Sequence, residues 1–147
     1  MQRLIFLGLL GAFALMVAAA GGYWWMKQNR PEQQWVPMPV NPATSMEQRT
    51  RLQEQIDGYL RRDNVLRSMV TKLSLVQRWD MNSEAEAVER LKQSMFVRLG
   101  EFRHPMTQEV LATIDVGVKG KRKETPLMAE IATELAAETR DYLGLSK

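Results

Sequence analysis

The sequence predicts an α+β protein: an N-terminal transmembrane helix followed by a small domain of about four helices packed on a short, mostly antiparallel sheet. Three observations lead to it. Residues 4–26 contain no charged side chain. Four later segments repeat apolar residues every three or four positions, the period of a helix with one buried face. Between the third and fourth of these the period shortens, most plainly at 110–119, as in a half-buried strand.

Residues 4–26 would reach roughly 34 Å as a helix, enough to cross a hydrocarbon core of about 30 Å. Tyr23, Trp24 and Trp25 close the stretch at headgroup level, and Lys27 and Arg30 follow. Gly8 and Ala12, and Ala14, Ala18 and Gly22, recur at spacings of four, a small-residue face for helix association. The rival is a cleaved signal peptide: Arg3 as the charged start, 4–17 as the apolar core, Ala18-Ala19-Ala20 as the cleavage site. The aromatic belt favours a retained anchor, because a cleaved product would begin with an exposed GGYWWM. Arg3 and the α-amino group balance Lys27 and Arg30, so charge alone does not set the orientation. Export through either segment leaves the rest outside the cytoplasm. The chain divides into a short tail (1–3), the span (4–26), a proline-rich linker or edge strand (27–44) and one domain (45–147).

Pro31, Pro37, Pro39 and Pro42 keep the linker extended. An edge strand tolerates them, and a plain spacer does equally well. Ser45 and Gln48 form a capping box before a helix with Leu52, Ile56, Tyr59 and Leu60 on one stripe. Asp63 offers a second cap, for a run from Val65 to Trp79. Ser83 and Glu86 write a third start, with Ala87, Val88, Leu91 and Met95 inward. Residues 96–102 and 110–119 suit an antiparallel hairpin whose loop, with His104-Pro105, exceeds two residues. Thr125 caps the last helix and Pro126 opens it; Leu127, Met128, Ile131, Leu135 and Ala136 face inward, and Gly144 stops it.

Of the 20 Lys+Arg, Arg3, Lys27 and Arg30 precede the domain, so the remainder equal the 17 Asp+Glu. A balanced domain lacks the electrostatic footprint of a nucleic-acid binder. With no cysteine there is no disulfide, thiolate chemistry or acylated cysteine. His104, the single histidine, sits at a turn without a second ligand at metal spacing. Residues 117–121 lack the spacing of a phosphate-binding loop, and Glu84, Glu86 and Glu89 share a solvated face with Arg90 and Lys92. No catalytic residue, metal or cofactor is expected, and the protein reads as a non-enzyme. One compact basic run stands out: Lys119, Lys121, Arg122 and Lys123. It reads either as a solvated turn or as a contact for anionic headgroups or an anionic glycan.

Three blocks, taken in order, resemble the polysaccharide chain-length determinant (Wzz-type, polysaccharide co-polymerase) family. They are Leu60-Arg61-Arg62-Asp63-Asn64-Val65-Leu66 with Met69-Val70, Leu73, Leu75 and Trp79; Ala87-Val88, Leu91, Met95 and Val97 with Ile114-Asp115-Val116; and Ala129-Glu130-Ile131-Ala132 with Leu135-Ala136 and Tyr142. The resemblance covers about two-thirds of the chain and is that of the family's N-terminal periplasmic domain alone. It departs at Glu124-Thr125-Pro126, where the family has Asp-Pro, and at Thr133, where it has asparagine. Ending at Lys147, the chain is expected to lack the family's helical arm, second span and kinase domain.

What the resemblance implies is a non-catalytic, membrane-anchored scaffold of surface-polysaccharide polymerisation and export. It would sit in a bacterial inner membrane with its C-terminal domain periplasmic. Its partners would be membrane lipid, further copies of itself, or a full-length chain-length determinant and the export machinery. The alternative is an exported or anchored glycan-binding module, with Trp35 and Trp79 as stacking platforms if exposed.

Overall fold

The computed structural model of the protein describes residues 21–103, 105–106 and 108–145. In chain order the elements are β1 (Pro31–Pro39), α1 (Met46–Leu60), α2 (Asp63–Lys72), α3 (Leu75–Arg78), α4 (Glu84–Ser94), β2 (Met95–Arg103), β3 (Val110–Lys121), a 3-10 turn (Arg122–Glu124) and α5 (Thr125–Tyr142). Residues 21–28, ahead of β1, are also helical.

The three strands pair in the order β1-β3-β2, antiparallel throughout. The proline-bearing segment is therefore an edge strand and not a spacer. Strand alternation sends Ile114, Val116 and Val118 of β3 to one face, level with Met38 of β1 and Val97 of β2. All five are buried there. Over this face lies α5, whose Leu127, Met128, Ile131 and Leu135 fall three and four apart and are buried. Next to it α2 packs on α4, enclosing Leu66, Met69 and Leu91, while α1 packs on β2.

Local signals explain the boundaries. Gln48 N–H donates to Ser45 Oγ (3.3 Å) and Ser45 N–H to Gln48 Oε1 (3.1 Å), closing the capping box. Ser83 accepts from Glu86 N–H (3.2 Å), but the Glu86 carboxylate turns to Asn82 N–H, leaving half a box. Asp63 does not cap α2: it is the first helical residue and its carboxylate pairs with Arg67 at 2.6 Å. The run expected from Val65 to Trp79 breaks at Ser74, which takes a left-handed φ of 52°; beyond the break Leu75 is fully buried. Thr125 begins α5 and does not precede it, its hydroxyl reaching Glu32 (2.7 Å) and the Arg122 carbonyl (2.6 Å). Gly144 stops the chain's last turn at a φ of 68°, as expected.

The fold class expected from the sequence needs two corrections. Among the described residues no helix is long and apolar enough to cross a membrane, so the N-terminal transmembrane helix is not supported. The described part of the apolar stretch belongs to the helical residues 21–28, which would extend only about 12 Å and end at Lys27 and Gln28. Residues 4–20 lie outside the described residues. The helical content is also higher than about four, since the second expected helix divides into α2 and α3 and residues 21–28 add another.

Ion pairs tie the helices together on the surface. Arg78 of α3 holds both Glu130 oxygens of α5, at 2.5 and 2.9 Å, and Lys72 of α2 holds Glu134. The Arg78 hydrogen bonds keep the Glu130 carboxyl below the usual glutamate range. A carboxylate depressed in the folded state adds stability above its unfolded value, and that increment is lost as pH falls through the folded one. Urea midpoints of the wild type and Glu130→Gln should therefore differ at neutral pH and converge on the acid side of the usual carboxylate range. In the core, Leu135→Ala should cost about 2–5 kcal/mol in urea unfolding, the range for a fully buried leucine.

Candidate functional site

The second face of the sheet carries the densest chemistry. It is built by the residues that alternate with the core set: Gln33, Trp35 and Pro37 on β1, Phe96, Arg98, Gly100 and Phe102 on β2, and Thr113, Asp115, Gly117 and Lys119 on β3. Trp35 and Phe96 both lie opposite Gly117, one from each flanking strand. Their attachment points are thus about 10 Å apart, two strand spacings. Between them lies the Arg98 side chain, its guanidinium carbon 5.0 Å from each ring centroid, and Lys119 Nζ stands 5.6 Å from the Phe96 ring. Cations over aromatic faces are attracted by the ring quadrupole.

Beneath this layer lies a buried carboxylate. Asp115 is 6 % exposed, accepts from the Thr113 hydroxyl at 2.8 Å, and forms a loose ion pair with Arg98 Nε at 3.4 Å. Arg98 also donates to the Gln33 side-chain oxygen at 3.3 Å. Two glycines leave room for the arrangement. A Cβ on Gly117 would stand 2.3 Å from the Gln34 carbonyl oxygen and 2.6 Å from Trp35 Cβ, and one on Gly100 would stand 2.5 Å from an Asp115 oxygen. Trp35 is nevertheless 46 % exposed, and the Arg98 side chain 45 %. This face is open to a ligand while its floor is packed.

The basic run lies at one end of the same sheet. Lys119, Lys121, Arg122 and Lys123 are all exposed. Pairing of Pro31 with Lys121, and the bond from Arg122 N–H to the Arg30 carbonyl (3.0 Å), carry the helical residues 21–28 to this end. Trp24, Lys27, Gln28 and Arg122 line a shallow hollow there. Tyr23, Trp24, Trp25 and Met26 are each 64–66 % exposed. The nearby Glu124 carboxylate is taken up by Arg90 (2.7 Å) and Lys121 N–H (3.0 Å). Exposed aromatics beside clustered cations suit an interface between water, anionic groups and apolar matter.

Of the other residues singled out in the sequence, Trp79 packs against the core beneath Arg90, whose guanidinium carbon is 4.6 Å from the ring. Gly8, Ala12, Ala14, Ala18 and His104 lie outside the described residues. Gly22 is exposed, with nothing within 4 Å of where its Cβ would stand. Sequence reasoning missed Phe96, Arg98, Thr113 and Asp115 as members of one cluster. The available signal was the polar alternation of Thr113 and Asp115 in an otherwise apolar strand, but only the register of β1 and β2 shows what they meet. Among the described residues no three His, Cys, Asp or Glu side chains are grouped to hold a metal ion.

Comparison with models of protein families, with curated proteins and with solved structures finds no match to this chain.

The glycines give a contrast that checks the packed floor. Gly117→Ala should destabilise by about 1–3 kcal/mol, since the obstructing atoms include backbone. Gly58→Ala, in α1 with nothing within 4 Å, should stabilise by up to about 1 kcal/mol through helix propensity. Thermal melts of the two variants read both signs.

Proposed function

We propose that this chain is a non-catalytic scaffold of surface-polysaccharide polymerisation and export. It acts outside the cytoplasm, at a membrane surface, and associates with copies of itself or with a full-length chain-length determinant. One observation carries the reading: the three residue blocks that resemble that family fall on consecutive packed elements. The first runs from the end of α1 at Leu60 through α2 and α3. The second runs from α4 directly into β2, with Ile114-Asp115-Val116 at the centre of β3, and the third lies on α5, where its Ile131, Ala132, Leu135 and Ala136 are buried. Its closing Tyr142 stacks on Tyr59 of α1, ring centroids 4.2 Å apart.

The conspicuous charged groups also favour a structural part over a catalytic one. Arg67 of α2 is shared between Asp63 of the same helix and Glu84 of α4, and Arg78 of α3 is spent on Glu130 of α5, all at the surface. The basic end, Lys121, Arg122 and Lys123 with the aromatic residues 23–25, supplies the contact to anionic headgroups. An exported glycan-binding module outside any export complex is the second reading, favoured by the exposure of Trp35.

Deleting the gene and sizing the surface polysaccharide on gels tests the first reading. A shifted length distribution, with crosslinked species larger than monomer in the wild type, is expected. An unchanged distribution together with monomer alone would sink it. Co-sedimentation with phosphatidylglycerol vesicles should fall at high salt, and fall at least about five-fold in a K121Q/R122Q/K123Q variant, as expected for an exposed electrostatic contact.

A further inference from the structure

We propose that the open face of the sheet binds an acidic, uronate-bearing glycan strand, with Trp35 and Phe96 as stacking walls and Arg98 and Lys119 as carboxylate partners. The proposal rests on the scaffold reading for the class of ligand, and on the geometry of this face for the site.

The aromatic walls are spaced across the sheet and one of them is half open to water. An aromatic ring offers the apolar face of a sugar a large contact area with two side-chain torsions to fix, which keeps the ordering cost low. Between the walls Arg98 is held in place before any ligand arrives. Two rings flank it, Asp115 lies below it and Gln33 beside it. A guanidinium fixed in this way loses little freedom on pairing with a carboxylate, and its planar fork matches carboxylate geometry. Lys119 provides a second cation beside Phe96, and the Gln33 amide is placed for a hydroxyl.

Charge decides among the occupants. Arg98 and Lys119 against the buried Asp115 leave the face with a net positive charge. A second copy seated face to face would oppose like charges across the contact. A polyphosphate strand asks for more: nucleic-acid grooves track the backbone with many cations, whereas this domain is balanced after residue 30. A neutral glycan would offer no carboxylate to Lys119 or to the outward side of Arg98, whose inward side pairs with Asp115. A strand with intermittent carboxylates and sugar faces between them fits what is present.

Titration calorimetry on the full chain, in a non-ionic detergent, tests the site with an alginate hexamer as the acidic probe. Cellohexaose serves as the neutral one and a (dT)6 oligonucleotide as the polyphosphate one. The alginate hexamer is expected to bind at least about ten-fold more tightly than either of the others. Lys119→Gln and Trp35→Ala, both on exposed side chains, should each weaken it at least about five-fold, and Lys92→Gln on α4 should change it less than about two-fold. Arg98→Gln should abolish the preference for acid over neutral sugar. Equal binding of cellohexaose, tighter binding of (dT)6, or no effect of Lys119→Gln and Trp35→Ala would overturn the proposal. So would failure of the alginate hexamer to bind, even if gene deletion shifted polysaccharide length, in which case the scaffold reading stands without this site. Specific binding with a silent deletion and monomer alone would support the site and remove the scaffold reading.

Discussion

Everything in this structure depends on burying β3 from both sides. Every residue from 113 to 118 is buried, so the central strand has no solvent face over that length. One side is covered conventionally, by α5 and the helices beside it pressing leucine, isoleucine and methionine onto Ile114, Val116 and Val118. Among the described residues no comparable apolar layer serves the other side. There the cover comes from neighbouring strands, with Trp35, Phe96 and Arg98 laid across Gly117 and Asp115. Long amphipathic side chains can shield a surface while keeping a polar end in water, which is why this face is both packed below and reactive above.

The energetic ranking follows from that division. Apolar area removed from water contributes roughly 25 cal/mol per Å², and the fully buried leucines, isoleucines and methionines carry most of it. Exposed ion pairs such as Arg51–Glu47 or Arg67–Asp63, each one turn apart within a single helix, are worth about 0–1 kcal/mol each and support only that helix. Asp115 is a different case. A carboxylate taken out of water costs stability unless it is paired and hydrogen-bonded, and Thr113 and Arg98 are what offset that cost. The partner that satisfies Asp115 is the same side chain that faces outward, so the stability of the strand and the chemistry of the open face share Arg98.

Much of the helical layer was legible in the sequence. Ser45 with Gln48 marks the start of α1, the stripe from Leu127 to Ala136 marks the buried side of α5, and Gly144 marks its end, because these are local signals read within a few residues. The strand of Val110–Lys121 was legible too, but as half-buried. Its second buried face depends on β1, about eighty positions earlier in the chain, and no local pattern encodes that pairing. The same non-local register hid the candidate site: Trp35 drew notice as an aromatic, whereas Arg98 and Asp115 look like ordinary strand polar residues until the sheet brings them together. The apolar stretch 4–26 misled for the opposite reason. Hydropathy, length and the terminal aromatic belt predicted a span that the described helices do not support, with residues 4–20 outside them. Ser74 shows a smaller failure of the same kind, since continuous apolar periodicity concealed a left-handed break.

Amide hydrogen exchange on the full chain tests the double burial of β3 most directly. The account predicts that the amides of 114–118 exchange as slowly as those of Ile131 and Leu135 in α5, opening only with global unfolding. Exchange in 114–118 much faster than in α5 would contradict it, because a strand covered on one side alone would open locally while the helical core stayed closed.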